Sequence, residues 1–201
     1  MDTNKQQEMV TTMKEILQEG YLHMAVRSYT VREDFEREGE CRISCALVHH
    51  DSGEEFVLEG EGVGTIDAFF NSLKTRLADD YPSLRDVAFS QFEIKGLLSA
   101  DTRQTTQAQA EATVGVLNSE GHEFVFTATE SSTSRAGMQA TLEAVAYFVN
   151  SERTFVKIKE ILEYYRSEGR SDLVQKYTGL MSEVVKNTSY SEVAARMAHE
   201  S

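Results

Sequence analysis

The chain repeats itself at the interval that separates Phe56 from Phe124, which we call the repeat offset, and this repeat constrains the fold more than any single motif. The matching pairs are 53–58 with 121–126, 21–26 with 89–94, Ala46 with Val114, Val48 with Val116, Thr65 with Thr133 and Ala68 with Ala136. Each copy has the pattern of three strands followed by a helix. We therefore predict an α+β fold of two βββα units, each sheet being covered by its helix and by the other copy.

Composition limits the function. The 201 residues are 40% hydrophobic, which is enough for a core, and carry a formal net charge of -13. Nucleic acid and anionic membranes are poor partners for such a chain, because Lys and Arg supply the phosphate contacts. No segment approaches the roughly 20 apolar residues of a membrane span, and residues 1–7 lack the apolar core of a signal peptide. We expect a cytoplasmic location.

The residues that serve in metal and redox sites do not form a recognisable motif. Cys41 and Cys45 lie on one face of a predicted strand, about 13 Å apart at 3.3 Å per residue, and are predicted to be small core residues. The five histidines are scattered, and neither a nucleophile elbow nor a P-loop is present. We expect neither an enzyme nor a metal or cofactor site.

Three regions follow from the hydrophobic periodicity. They are an amphipathic N-terminal helix in 1–20, the repeated domain in 21–151 with its copies at 21–80 and 87–151, and a helical extension in 152–201. Pro82 marks the link between the copies, and Thr65 is predicted to cap the first repeat helix. The second repeat helix is predicted to run from about 134 to 150, and three more helical stretches follow it, the last around Val193 and Met197.

The loop before the first repeat helix is the strongest candidate for chemistry. Gly60, Gly62 and Gly64 precede the helix, where exposed N–H groups and the positive helix end favour a carboxylate or phosphate. Asp67, in the first turn, could pair with an amine, so that an amino acid would suit both groups. The alternative is that the glycines only make a tight turn and Asp67 only supports the cap. The matching loop, 129–134, has lost every glycine and gained hydroxyls that can cap a helix.

The repeated unit resembles the C-terminal regulatory (allosteric and dimerisation) domain of 2-isopropylmalate synthase and its citramalate synthase relatives. The resemblance covers about residues 21–153. Its most specific part is Gly-Val-Gly-Thr-Ile-Asp-Ala-Phe-Phe-Asn-Ser-Leu in residues 62–73, similar to the family's Gly-x-Gly-Pro-Val-Asp-Ala-x-x-x-Ala-Leu. Weaker support comes from residues 91–94, from the alanine-bearing strand with Ala108 and Ala110, and from residues 144–150.

The resemblance implies a sensor of leucine or isoleucine near a homodimer interface, acting on a separate catalytic synthase barrel. The ligand-binding residues that it implies are Gly62, Gly64, Ile66, Asp67, Phe89, Phe92, Gly96, Ala108 and Ala110. Thr65 replaces the family's proline, and the catalytic barrel with its metal-binding histidines is absent from these 201 residues. Two alternatives stay open: a protein-interaction or dimerisation scaffold with a vestigial pocket, whose 151–201 segment docks a partner, and the regulatory subunit of a split acyl-transferring synthase.

Overall fold

The computed structural model of the chain describes residues 3–34, 36, 37, 40–50, 53–97 and 109–186. It contains two three-stranded antiparallel sheets, each followed by a helix, so the predicted pair of βββα units is confirmed. The first unit comprises β1 (Met24–Glu33), β2 (Cys41–His49), β3 (Glu55–Gly62) and α2 (Thr65–Leu77). The second comprises β4 (Ala88–Leu97), β5 (Gln109–Leu117), β6 (Glu123–Glu130) and α3 (Thr133–Ser167). They are preceded by α1 (Thr3–Leu17) and followed by α4 (Ser171–Lys186).

The repeat offset holds for the third strand and the helix of each unit, but not for the second strand. Cys45 pairs with Leu58, and Val114 pairs with Phe126, which matches Leu58 at the repeat offset. Val114 therefore corresponds to Cys45, and the predicted match of Ala46 with Val114 is wrong by a single position. The reason is a longer connection between the second and third strands in the first unit.

The first strands depart further from the repeat offset. Tyr29 pairs with Cys45 and Phe92 with Val114, so Phe92 is the counterpart of Tyr29, although the two lie closer together in sequence than Phe56 and Phe124 do. The predicted match of 21–26 to residues of β4 is therefore wrong. The reason is that the connection between the first and second strands is longer in the second unit than in the first. Both strands carry an irregularity at the equivalent point, after Val26 and after Phe89.

The core lies between the sheets and their helices. Cys41 and Cys45 are free and buried with Ile43 and Leu47 on the face of β2 that α2 covers, so their predicted role as core residues is confirmed. The repeat helices α2 and α3 lie side by side and run in the same direction. Ile66 meets α3 near the start of both helices, and the Ser83 N–H, beyond the end of α2, donates to the Glu152 carboxylate at 3.1 Å.

The helix α3 holds the units together. The sequence predicted that this helix ends near residue 150. Instead, α3 continues without a break to Ser167, because Phe155, Ile158 and Leu162 extend its buried face. Asn150 accepts a hydrogen bond from the Leu22 N–H at 2.6 Å and donates to the Leu22 carbonyl at 2.9 Å, which fixes the entry to β1. The helical stretch predicted around Val193 lies outside the described residues.

The terminal helices both pack against α3. The α1 helix lies along the outer edge of β6, where the Gln6 amide donates to the Val125 carbonyl at 3.1 Å, and its Met9 and Met13 are buried. The α4 helix packs against α3 and buries Val184. Among the described residues no helix is both long and apolar enough to cross a membrane.

Candidate functional site

The glycines of the β3–α2 loop allow the strand to approach the helix closely. A Cβ atom on Gly60 would lie 2.7 Å from the Ser72 Cβ, and one on Gly62 would lie 2.5 Å from the Ala68 nitrogen. Gly64, by contrast, has open space around it and an extended backbone that any residue adopts. The sequence predicted Thr65 as the cap of α2, but the N-cap is Gly64. Gly64 has no side chain, so no side-chain hydrogen bond caps the helix.

Asp67 stabilises this loop. Its half-buried carboxylate accepts, at Oδ2, hydrogen bonds from the Val63 N–H at 3.0 Å and from the Asn71 amide at 3.3 Å. The same Asn71 amide donates to the Glu61 carbonyl at 3.2 Å, which ties the end of β3 to the second turn of α2. Asp67 therefore supports the helix start, as the alternative interpretation of this residue expected. Both of its hydrogen bonds fall on Oδ2.

Ile66 and Phe92 converge on Gly137, a residue that the sequence did not single out. A Cβ atom on Gly137 would lie 2.7 Å from the Ile66 Cδ1 and 3.4 Å from the Phe92 Cζ. The repeat offset places Gly137 where the first unit has Phe69, which is fully buried. That change from a large apolar residue to glycine between the two copies is the sequence signal that could have identified the position.

A group of small residues lies next to Gly137 along the second sheet. Ala110, Ala112 and Ala136 form a small buried cluster that is separate from the main core. Gly96 and Ile94 of β4 stand opposite Ala110 and Ala112. A Cβ atom on Gly96 would meet no atom within 4 Å, and we call this open surface, with Phe92 and Ile94 beside it, the helix-start recess.

Apolar side chains line this recess without being covered. Phe92 and Ile94 alternate onto the face of β4 that α3 overlies, yet they are 46% and 39% exposed. Large apolar side chains left open beside buried small ones are typical of a ligand site or an interface. Ile66, in the first turn of α2, contacts Gly137, in the second turn of α3, so the starts of both helices lie close to the recess.

One of the predicted site residues lies apart from the recess, and another is outside the described residues. Phe89 packs against Phe70 with ring centroids 4.4 Å apart, at the opposite end of β4 from Gly96, and belongs to the main core. Ala108 lies outside the described residues. The structure therefore brings Ile66, Phe92, Gly96 and Ala110 to the recess, with Gly62, Gly64 and Asp67 in the loop that enters α2.

The second loop caps its helix, as predicted. The Ser132 hydroxyl is the N-cap of α3 and accepts a hydrogen bond from the Arg135 N–H at 3.2 Å. Arg135 stands at the position of Asp67 and forms an ion pair with Glu130 at 3.8 Å. The two loops thus differ in charge as well as in glycine content. Among the residues that the structure describes, no group of three or more His, Cys, Asp or Glu side chains could hold a metal ion.

Comparison with known proteins supports the resemblance seen in the sequence. Residues 5–149 match the family described as the LeuA allosteric (dimerisation) domain. Comparison with curated proteins gave no significant match. The matched range contains both sheets, α2, the first half of α3, the glycine loop and the helix-start recess. The domains of this family are regulatory and non-catalytic, and their dimerisation supports a homodimer. The chain belongs to the family of LeuA allosteric (dimerisation) domains.

Proposed function

We propose that this dimerising regulatory domain binds a branched-chain amino acid, leucine or isoleucine, in the helix-start recess. The observation that carries the proposal is the exposure of Phe92 and Ile94 beside Gly96, which has open space around it, and beside the buried alanines of the second unit. In the first unit the fully buried Phe69 stands at the position of Gly137, so the two units are packed differently there.

Each part of an amino acid has a suitable group nearby. The N–H groups of the loop at Gly62 and Gly64, together with the two helix ends, favour a carboxylate. Asp67 uses Oδ2 for the loop, which leaves Oδ1 for the ammonium group. Ile66 and Phe92 contact a branched side chain, and the neighbouring alanines and Gly96 provide the space for it. Binding there stabilises the dimer arrangement to which it contributes more contacts.

Titration calorimetry with leucine tests the ammonium contact. Asp67→Asn retains an oxygen that accepts the Val63 N–H but removes the charge, so we expect the loop to persist and the affinity to fall at least about tenfold. Asp86→Asn, an exposed position outside the recess, is the matched control and should bind as the wild type does. Equal affinity in all three proteins would show that Asp67 does not bind the ammonium group.

A second pair of variants tests the apolar wall. Phe92→Ala should weaken leucine binding, because Phe92 forms one side of the recess. Tyr29→Ala changes the counterpart position in the first unit, where Phe69 fills the space, and should not alter the affinity. An equal loss of affinity in both variants, or a loss in neither, would show that leucine does not bind against Phe92.

A second candidate function is partner docking through the helices that follow the matched domain. Residues 150–186 form the end of α3 and all of α4, and Tyr164 and Val156 are 60% and 38% exposed there. We propose that a catalytic synthase subunit on another chain is the partner. Deleting the segment is a poor test because Ile158 is buried in the core. Tyr164→Ser should reduce copurification with such a subunit while leaving leucine affinity unchanged, and undiminished copurification would exclude this surface.

A further inference from the structure

A second cavity, of about 500 Å³, lies beneath α1 and is separate from the helix-start recess. Its walls come from α1, from the segment that leads into β1, from the middle of β6 and from α3. Gln139, Glu143 and Ala146 of α3 line it, whereas Gly137 belongs to the opposite face of the same helix. A volume of this size is within the range of small-molecule sites.

Charges of both signs lie close together at this cavity. The Lys14 ammonium stands 5.4 Å from the centroid of the Tyr21 ring and forms no ion pair within the described part of the chain. Burial raises the pKa of the same tyrosine, and the charge of the nearby Glu143 adds to this shift. Glu143 also accepts a hydrogen bond from the Gln139 amide at 3.0 Å. Lys14 and Glu143 are both exposed enough to reach a ligand at the mouth.

Apolar side chains form part of the cavity lining, and one unsatisfied polar group lies among them. Val10, Leu22 and Leu142 line the cavity, and so does Tyr147, whose buried phenol oxygen has no hydrogen-bond partner among the described residues. Burial is the main cause that raises the pKa of Tyr147, and the nearby Tyr21 adds to it, so the phenol stays protonated and available as a donor. A buried donor without an acceptor costs free energy that a bound oxygen atom can offset.

We infer that the cavity beneath α1 is a second ligand site, for an α-amino acid with an unbranched or branched apolar side chain. Lys14 binds the carboxylate, Glu143 binds the ammonium group, and the side chain lies against Val10, Leu22 and Leu142. Tyr147 donates to a carboxylate oxygen. This site contacts α1, the entry to β1 and α3 at once, so its occupancy stabilises the attachment of α1 to the two units.

The test compares two ligands that differ only in the ammonium group, norleucine and hexanoate. Each is titrated into the full-length, ¹⁵N-labelled protein, and assigned amide resonances report where it binds. We expect norleucine to shift the amides of Val10, Thr127 and Gln139, which line the cavity, and hexanoate to bind there at least about tenfold more weakly. Glu143→Gln should abolish this difference between the ligands.

Two lysine variants complete the experiment. Lys14→Gln should weaken both ligands at the cavity by about tenfold or more. Lys176→Gln removes a lysine that likewise stands over a tyrosine ring, 5.5 Å from the Tyr177 centroid, but lies outside the cavity, and it should change nothing. Three results would each overturn the inference: amide shifts confined to Ile66 and Gly137, no amide shifts at millimolar ligand, or unchanged affinity in Lys14→Gln. Asp67→Asn distinguishes the two sites, because it should weaken ligand binding at the helix-start recess and leave binding beneath α1 unchanged.

Discussion

Replacing Gly62 by alanine should destabilise the fold strongly, whereas replacing Gly64, the next glycine in the loop, should not. The added Cβ at Gly62 would lie 2.5 Å from the Ala68 nitrogen and closer still to the Asp67 carboxylate. The Ala68 nitrogen is backbone within α2, so no rotamer change relieves that contact, and β3 must move away from the helix. At Gly64 the added methyl group meets no atom within 4 Å.

The magnitudes follow from these contacts. Forcing an extra methyl group into a closely packed site costs about 1–3 kcal/mol, and the backbone contact at Gly62 places it at the upper end, about 2–3 kcal/mol. For a chain of this length that lowers the melting temperature by roughly 4–12 °C. Gly64→Ala gains about 0.4–1 kcal/mol from the less flexible unfolded chain and loses a similar amount at the N-cap, so the net change is near zero.

Urea denaturation and thermal melting, followed by circular dichroism, measure both variants against the wild type. The expected order of stability places the wild type and Gly64→Ala together, with Gly62→Ala well below them. Equal stabilities for the two alanine variants would refute the claim that Gly62 is required for the approach of β3 to α2. The glycine would then be present for the exposed N–H groups alone.

Three further predictions concern the core, the pH response and the assembly. Asn150→Ala leaves the buried N–H and carbonyl of Leu22 unpaired and should lower the free energy of unfolding by about 2–5 kcal/mol in urea melts; a loss below about 0.5 kcal/mol would contradict the role of this side chain. Burial raises the pKa of Cys45 from 9.0 to about 11, so the unfolded chain ionises first. The free energy of unfolding should therefore be fully present below pH 9 and decline as the pH rises toward about 11, less steeply in Cys45→Ala; an equal slope would contradict the assignment. Sedimentation equilibrium should give twice the chain mass of 22.6 kDa, and a mass of 22.6 kDa at micromolar concentration would exclude a stable homodimer.

The fold was largely predictable because its repeat leaves a direct trace in the sequence. The third strand and the helix of the second unit both begin one repeat offset after their counterparts, since the glycine and hydroxyl loops that join strand to helix have equal length. The first strands could not be aligned from the sequence, because the connection that follows them differs in length between the units. The predicted end of α3 near residue 150 was wrong: no proline or glycine stands there to end the helix, and the burial of Ile158 and Leu162 carries it on to Ser167.

The site was predictable in part. The Gly-x-Gly loop and Asp67 follow from local sequence, and the structure shows that packing and capping already use Gly62 and Asp67. Gly137 depends on contacts with Ile66 and Phe92, which are far away in sequence, so only the comparison of the two copies could have indicated it. Phe89 was placed in the site by its position in a motif, but it packs on Phe70 because it lies at the core end of its strand. The cavity beneath α1 has no motif, since its lining comes from four separate segments.

A crystal structure of the full-length protein grown with leucine tests the proposed effector site most directly. Difference density for the amino acid should lie against Ile66 and Phe92, over Gly96 and Ala110, with its carboxylate toward the glycine loop and its ammonium group near Asp67. An empty helix-start recess at saturating leucine, with the ligand absent or bound only beneath α1, would contradict that assignment.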